Sequence, residues 1–357
     1  VAFGYTDAIW AKYGQQFSTQ LRLEDPKTKA PYKVNPRNQG PALDNLGRPA
    51  TLESLAATDR QLVVVTSDSR GSGKLVNFGQ RFPAQHVEIG IAEQNLVGVA
   101  AGLASTGKIV FAVSPACFLT ARALEQIKND VAYSNNPVKL VGISAGVSYG
   151  ALGSTHHSLH DLAALRAIHN ITIVVPADAF ETAHAIKAAA ASPTPVYLRF
   201  GKKSMPVLPP DAAPFEFGKG RIIREGTDIA LIATGETVAP ALMAAQELET
   251  TRGVSARVVS MHTIKPLDTK LLDDCASKCG AMITIEEHSI NGGLGEACAA
   301  HLFQQGEHLP FRIIGIPDEY TVTGSQEEIF RHYGITAVGI ARKAMELLLN
   351  NSTKRSS

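Results

Sequence analysis

The sequence predicts an α/β protein: two consecutive α/β domains with mostly parallel sheets. Three observations carry this. Short apolar runs of strand length alternate with longer, Ala-rich segments of helical period along most of the chain. A proline-rich stretch at 206–214 (PVLPPDAAP) interrupts that alternation once, since it can continue neither a helix nor a central strand. The 357 residues, 45% hydrophobic and 19% charged, hold enough apolar material for two cores.

Taken in order, residues 5–20 (YTDAIWAKYGQQFSTQ) have the pattern of an amphipathic helix capped by Thr6 or Asp7. Residues 24–49 are rich in Pro, Lys, Arg and Asn and read as a long irregular segment. The run 61–66 (QLVVVT) is a buried-type strand, 91–104 a helix of small residues, and 108–113 a strand. A helix over 118–133, a strand at 138–144, a helix at 161–168 and a strand at 171–175 follow. An Ala-rich helix at 178–190 and a strand at 196–200 close the first domain. Beyond the prolines, strands at 229–234, 255–260, 281–286 and 311–316 alternate with helices at 237–250, 269–278 and 295–304. The expected domains are therefore 1–60 (helix and insertion belonging to the first domain), 61–205, a linker at 206–218, and 219–357.

Bulk properties exclude several functions. The formal net charge is +1 and no basic stretch recurs with aromatics between, so nucleic acid and membrane surfaces have no electrostatic support as partners. Cys275 and Cys279, within DDCASKCG, resemble half a metal site, but no second pair exists and structural thiols are expected. The chain starts without a basic-then-apolar leader pattern, and no apolar run reaches the ~20 residues of a membrane span. A cytoplasmic location is expected.

The segment 88–104 (EIGIAEQNLVGVAAGLA) is the sharpest. Glu93 opens a helix lined by Gly98, Ala100, Ala101 and Gly102, small enough for a backbone or flat ligand to approach. An acid in a first turn also simply complements the helix dipole. Phe118 could be a core aromatic at a helix start. His156 and His160, four apart, could share a helical face, but zinc needs a third ligand and no His-Glu-x-x-His occurs. The string from Ser69 to Lys74 (SRGSGK) lacks the spacing of a P-loop.

This stretch, together with Phe118-Leu-Thr-Ala-Arg122, Gly153-Ser-Thr-His156, Thr263-Ile-Lys-Pro-Leu-Asp, Glu287-His-Ser-Ile-Asn-Gly-Gly and Gly315-Ile-Pro-Asp-Glu-Tyr, resembles thiamine-diphosphate enzymes of the transketolase type. The resemblance runs over roughly residues 60–345, in order. It implies a pyrimidine-binding domain followed by a transketolase C-terminal domain. It assigns Glu93 to the aminopyrimidine ring, shifting it toward the imino form that removes the thiazolium proton, with burial expected to raise the Glu93 pKa. Phe118 is implied to stack on the pyrimidine, with Arg122 a further cofactor contact. His156 is implied to face the sugar hydroxyls as a catalytic and substrate residue. Ser72 is a candidate for the substrate's anionic end, and Gly292-Gly-Leu-Gly295 falls in a domain that mainly builds the dimer.

Such enzymes hold the diphosphate through Mg²⁺ (or Ca²⁺) on a Gly-Asp-Gly…Asn motif in a separate N-terminal domain, and no Gly-Asp-Gly occurs here. The resemblance therefore implies a partner, an N-terminal transketolase subunit, and a heterotetramer; no metal ligand is expected in this chain. Departures cluster at the sugar end: Asp7 where an arginine is usual, Ser144 where a histidine is, Leu152 where an aspartate is, and Lys202 at or near a second arginine. With the insertion at 24–58, they suggest an uncommon ketose donor, carrying a sulfonate or a branched sugar phosphate. The reading is two-carbon ketol transfer from a ketose to an aldose phosphate. Its alternatives are a 2-oxoacid dehydrogenase β subunit, a deoxyxylulose-phosphate-synthase-like enzyme, or a scaffolding or regulatory chain without chemistry.

Overall fold

The computed structural model describes residues 48–209 and 215–355. The helix expected at 5–20, Asp7, the irregular segment up to residue 47 and part of the proline-rich linker lie outside the described residues. Strands are β1 (Leu62–Thr66), β2 (His86–Glu88), β3 (Ile109–Pro115), β4 (Lys139–Ile143), β5 (Thr172–Val174), β6 (Val196–Arg199), β7 (Arg221–Arg224), β8 (Ile229–Ala233), β9 (Ala256–Ser260), β10 (Thr263–Lys265), β11 (Met282–Ser289) and β12 (Phe311–Ile316). They form two sheets, in the orders β10-β5-β6-β4-β3-β1-β2 and β12-β11-β8-β9-β7. Each is parallel except for one antiparallel edge, β10 on β5 and β7 on β9. Helices cover both faces, as parallel sheets require.

Alternation within β1 sets the layers. Val63 and Val65 face a core shared with Ile232 and Val259 of the second sheet. Leu62 and Val64 face the opposite way, against Phe78, Phe111, Ile186 and Leu52. On the far side of the second sheet, Leu231 and Val258 pack with Leu248, Ile340 and Ala344.

The structure corrects several expectations. The insertion drawn through residue 58 ends in a helix, Arg48–Thr58, whose Leu52 and Ala56 are buried under the first sheet. The single helix expected over 118–133 is three pieces: Ala116–Arg122, Leu124–Gln126 and a π-helix at Ile127–Tyr133. Ala123, at φ −104° and ψ 21°, breaks the ladder between the first two. β10 lies past the proline-rich stretch yet completes the first sheet, so the second domain supplies an edge strand to the first. Two C-terminal helices, Gln326–Tyr333 and Ala337–Arg355, were not anticipated. The first carries a legible signal, a Ser325…Glu328 capping box closed by Gly334 in the left-handed region.

Charged groups tie the domains together. Gln326 donates from one amide nitrogen to Glu236 (2.6 Å) and to Glu287 (2.8 Å), and the Val147 amide also donates to Glu287 (2.9 Å). Burial, and then the Glu236 carboxylate, push Glu287 up to about 8. The folded chain thus binds a proton there that the unfolded chain has released above about pH 4.5. That contribution is complete at low pH and is lost as pH rises toward 8, with a slope of at most about 1.4 kcal/mol per unit. Glu287→Gln is expected to flatten the decline of Tm between pH 5 and 8, measured by thermal melts across that range.

Candidate active site

The candidate residues leave the first sheet at the carboxyl ends of its parallel strands, where open α/β sheets place ligands. Ser72 follows β1, Glu93 follows β2, Phe118 and Arg122 follow β3, Ser144 and His156 follow β4, and Lys202 follows β6. Glu93 is the first residue of the helix Glu93–Ser105, anchored by buried Leu96, Val97 and Ala100. Its side chain is only 4% exposed. Of the small residues on this helix, Ala100 and Ala101 are buried, whereas a Cβ added at Gly98 or Gly102 would meet nothing within 4 Å.

One nitrogen of Arg122 donates to both Glu93 oxygens, at 3.0 and 2.9 Å. The same guanidinium lies 4.2 Å over the Phe118 ring. Phe118 meets the His156 ring edge-on at 5.2 Å, and His156 meets Tyr149 at 5.4 Å in a similar T-shape. The Lys202 ammonium sits 5.1 Å over the Tyr149 ring. Glu93, Arg122, Phe118, His156, Tyr149 and Lys202 therefore form one unbroken line of contacts. Nδ1 of His156 is 2.9 Å from the Thr155 hydroxyl, and Nε2 has no hydrogen-bond partner among the described residues.

Two candidates stand apart from this line. Ser72 lies half-buried in a turn closed by the Gly73 amide on the Ser69 carbonyl (2.8 Å). No contact among the described residues joins it to the others. Ser144 ends β4 at φ 51°, buried, with a hydroxyl that has no hydrogen-bond partner among the described residues. A left-handed serine with an unsatisfied buried hydroxyl is a local cost that functional sites commonly hold.

Sequence reasoning missed two residues. Tyr149 joins His156 to Lys202; its signal was a lone aromatic in the small-residue run GVSYGALGST. Glu88 ends β2 and accepts from the Thr66 hydroxyl (2.8 Å), the Asp68 amide (2.6 Å) and the Gly90 amide (3.0 Å). It ties the turn bearing Ser72 to the segment entering Glu93. Burial raises its pKa, but those three donors and Arg70 outweigh it and hold the carboxyl below the usual range.

The remaining motifs are accounted for locally. His157 is buried, its Nε2 is 2.9 Å from the Gly150 carbonyl, and burial lowers its pKa, so it donates as a neutral ring. His160 Nε2 lies 3.3 Å from Thr120. Among the described residues, no three His, Cys, Asp or Glu side chains converge as metal ligands. All four cysteines are free and buried. The string Gly292–Gly295 opens the helix Leu294–Gln304, whose Leu294 and Gly295 amides already donate to Glu286 at 2.7 and 2.8 Å. That helix end has its anion built in.

An open cleft of about 670 Å³ faces Glu93, lined by Ile91, Ala92, Gln94, Asn95 and Arg122. Ile91 is 74% exposed at its edge. The Arg122 guanidinium shows what the cleft accepts: a flat group that stacks on Phe118 and points N–H donors at a buried carboxylate. Next along the line come an open imidazole nitrogen and then an ammonium, suited to hydroxyls and to an anion. Among the described residues no helix is long and apolar enough to cross a membrane.

Comparisons with known proteins agree over nearly the whole described chain. Residues 49–207 match the family model "Transketolase, pyrimidine binding domain", and residues 218–340 match "Transketolase, C-terminal domain". One of the two chains of the apulose-4-phosphate transketolase of Phocaeicola vulgatus is 48% identical over 299 residues, 84% of this chain and 95% of that protein. The 6-deoxy-6-sulfo-D-fructose transketolase subunit SqwH of a Clostridium species is 35% identical, over 82% of this chain and 90% of that protein. Among solved structures, one described as a split gene transketolase, inactive beta4 tetramer, aligns with a TM-score of 0.75 and 37% identity, covering 85% of this chain and 96% of that one.

Proposed function

Since this chain belongs to the transketolase family, with that family's pyrimidine-binding and C-terminal domains, we propose that it is one subunit of a two-chain transketolase. The reaction is transfer of a two-carbon ketol unit from a ketose donor to an aldose phosphate. The observation that carries it is the line from buried Glu93 through Phe118 to His156, open to a cleft. When bound, thiamine diphosphate supplies the nucleophilic carbon. Glu93 holds and exchanges a proton at its carboxyl oxygen with the pyrimidine ring nitrogen. Phe118 offers its face to that ring, and Arg122, half-exposed, swings aside to admit it. His156 presents Nε2 to the donor's hydroxyls. Ser72, Ser144 and Lys202 receive its far end.

The diphosphate and its Mg²⁺ or Ca²⁺ belong to the partner, an N-terminal transketolase subunit. Three things support this. No Gly-Asp-Gly occurs here, and Ile91 stands exposed beside Glu93. A relative covered over 95% of its length is itself only one of a transketolase's chains. A heterotetramer in the cytoplasm completes the reading. The donor we propose is a branched pentulose phosphate such as apulose 4-phosphate, from the nearness of that relative and from serine and lysine where the family commonly has histidine and arginine. The test is ketol transfer by the reconstituted pair. Apulose 4-phosphate should exceed fructose 6-phosphate and xylulose 5-phosphate in kcat/KM by at least about tenfold. Preference for either of the common sugars refutes the donor assignment.

A further inference from the structure

Adjacent lysines at 202 and 203 are used in opposite ways. The Lys203 ammonium is 3.0 Å from Glu327 and is neutralised there. Lys202 has no carboxylate partner among the described residues, and its ammonium lies over the Tyr149 ring at 5.1 Å, within cation–π range. The difference matters chemically. A carboxylate would cancel the charge, whereas an aromatic face restrains the ammonium and leaves its charge available. A lysine alone on an exposed loop sweeps a wide volume, because its stem is flexible.

The loop under Tyr149 is pinned at every turn. The Val147 amide donates to Glu287 (2.9 Å), and the Ser148 hydroxyl donates to the Ala145 carbonyl (2.6 Å). Gly146 bridges to Ser158, and His157 holds the Gly150 carbonyl at 2.9 Å. A Cβ at Gly146 would fall 2.3 Å from the Glu287 carboxyl carbon, so only glycine permits that buttress. The other side of the Tyr149 ring contact is His156 at 5.4 Å. Tyr149 is thus a fixed ring between the imidazole and the free ammonium.

We propose that Tyr149 is a specificity-determining positioning residue: its ring holds the Lys202 ammonium toward the tetrahedral oxyanion, phosphate or sulfonate, at the far end of a ketose donor. This rests on the transketolase reading above. It adds that discrimination for a charged donor depends on an aromatic ring that itself contacts no anion.

The test uses the reconstituted two-chain enzyme loaded with thiamine diphosphate and Mg²⁺. Its readout is the ratio of kcat/KM for an anionic ketose to that for the uncharged parent sugar, with phosphate and sulfonate as separate arms. Tyr149→Leu should lower that ratio at least about fivefold, as should Lys202→Met. The double variant should lower it little further, because the two act as one unit. Tyr149→Phe keeps the ring and should stay within about twofold of wild type. General damage to the site moves both donors together and leaves the ratio alone. A fall in either arm supports the proposal, and the larger fall names the group. A ratio unchanged in Tyr149→Leu but lowered in Lys202→Met overturns it while leaving the transketolase reading intact. If the wild-type pair transfers a ketol unit from no ketose at all, that reading falls and takes this inference with it.

Discussion

Glu93→Gln is expected to lower kcat for ketol transfer by about 10²–10⁴-fold in the reconstituted enzyme, with the fold intact. The amide has the same shape but can neither hold nor surrender the proton that the proposed role requires. Stability should change little. The Glu93–Arg122 pair has one half-exposed partner, and such pairs contribute about 1 kcal/mol or less. Steady-state kinetics beside a thermal melt separate the two effects. Activity within threefold of wild type would leave Glu93 as an ordinary first-turn acid and favour the scaffolding alternative.

The largest effect on stability is expected at Arg199. Its Nε donates to Asp161 at 2.7 Å, where the Tyr197 hydroxyl also donates at 2.7 Å, and all three side chains are buried. Its Nη2 donates across the domain junction to the Glu287 carbonyl (2.9 Å) and to the Ser158 carbonyl (3.1 Å). Burial acts to raise the Asp161 pKa, but Arg199 outweighs it and holds the carboxyl ionised. Arg199→Met strands that charge and should cost about 3–5 kcal/mol in urea unfolding. Adding Asp161→Asn should recover at least about 1 kcal/mol, because the group left behind is polar rather than charged. A cost below about 1 kcal/mol for Arg199→Met would mean that water reaches the junction and that the domains are held by apolar packing alone.

The fold class and the strand order along the chain were legible because buried parallel strands such as Leu62–Thr66 and Ile229–Ala233 are short, apolar and β-branched. β2 and β10 were not, because three residues carry no period. Glu93, Phe118 and His156 could be named from residue order, since each follows a strand in a small-residue setting. Two things could not be read from order. One is that Arg122 bridges Glu93 and Phe118, which depends on the helix break at Ala123. The other is that Tyr149 stands between His156 and Lys202, although the chain returns with β6 only at Val196. Contacts between loops on different strands are set by sheet order, and a single sequence does not give sheet order.

The account's central claim is that this chain supplies only one face of a shared cofactor site. Calorimetric titration of thiamine diphosphate with Mg²⁺ tests it most directly, into this chain alone and then into its mixture with the N-terminal partner subunit. The account predicts binding in the mixture and none resolved with the chain alone. Tight binding to the chain alone would contradict it, because a diphosphate and metal site would then exist within these residues.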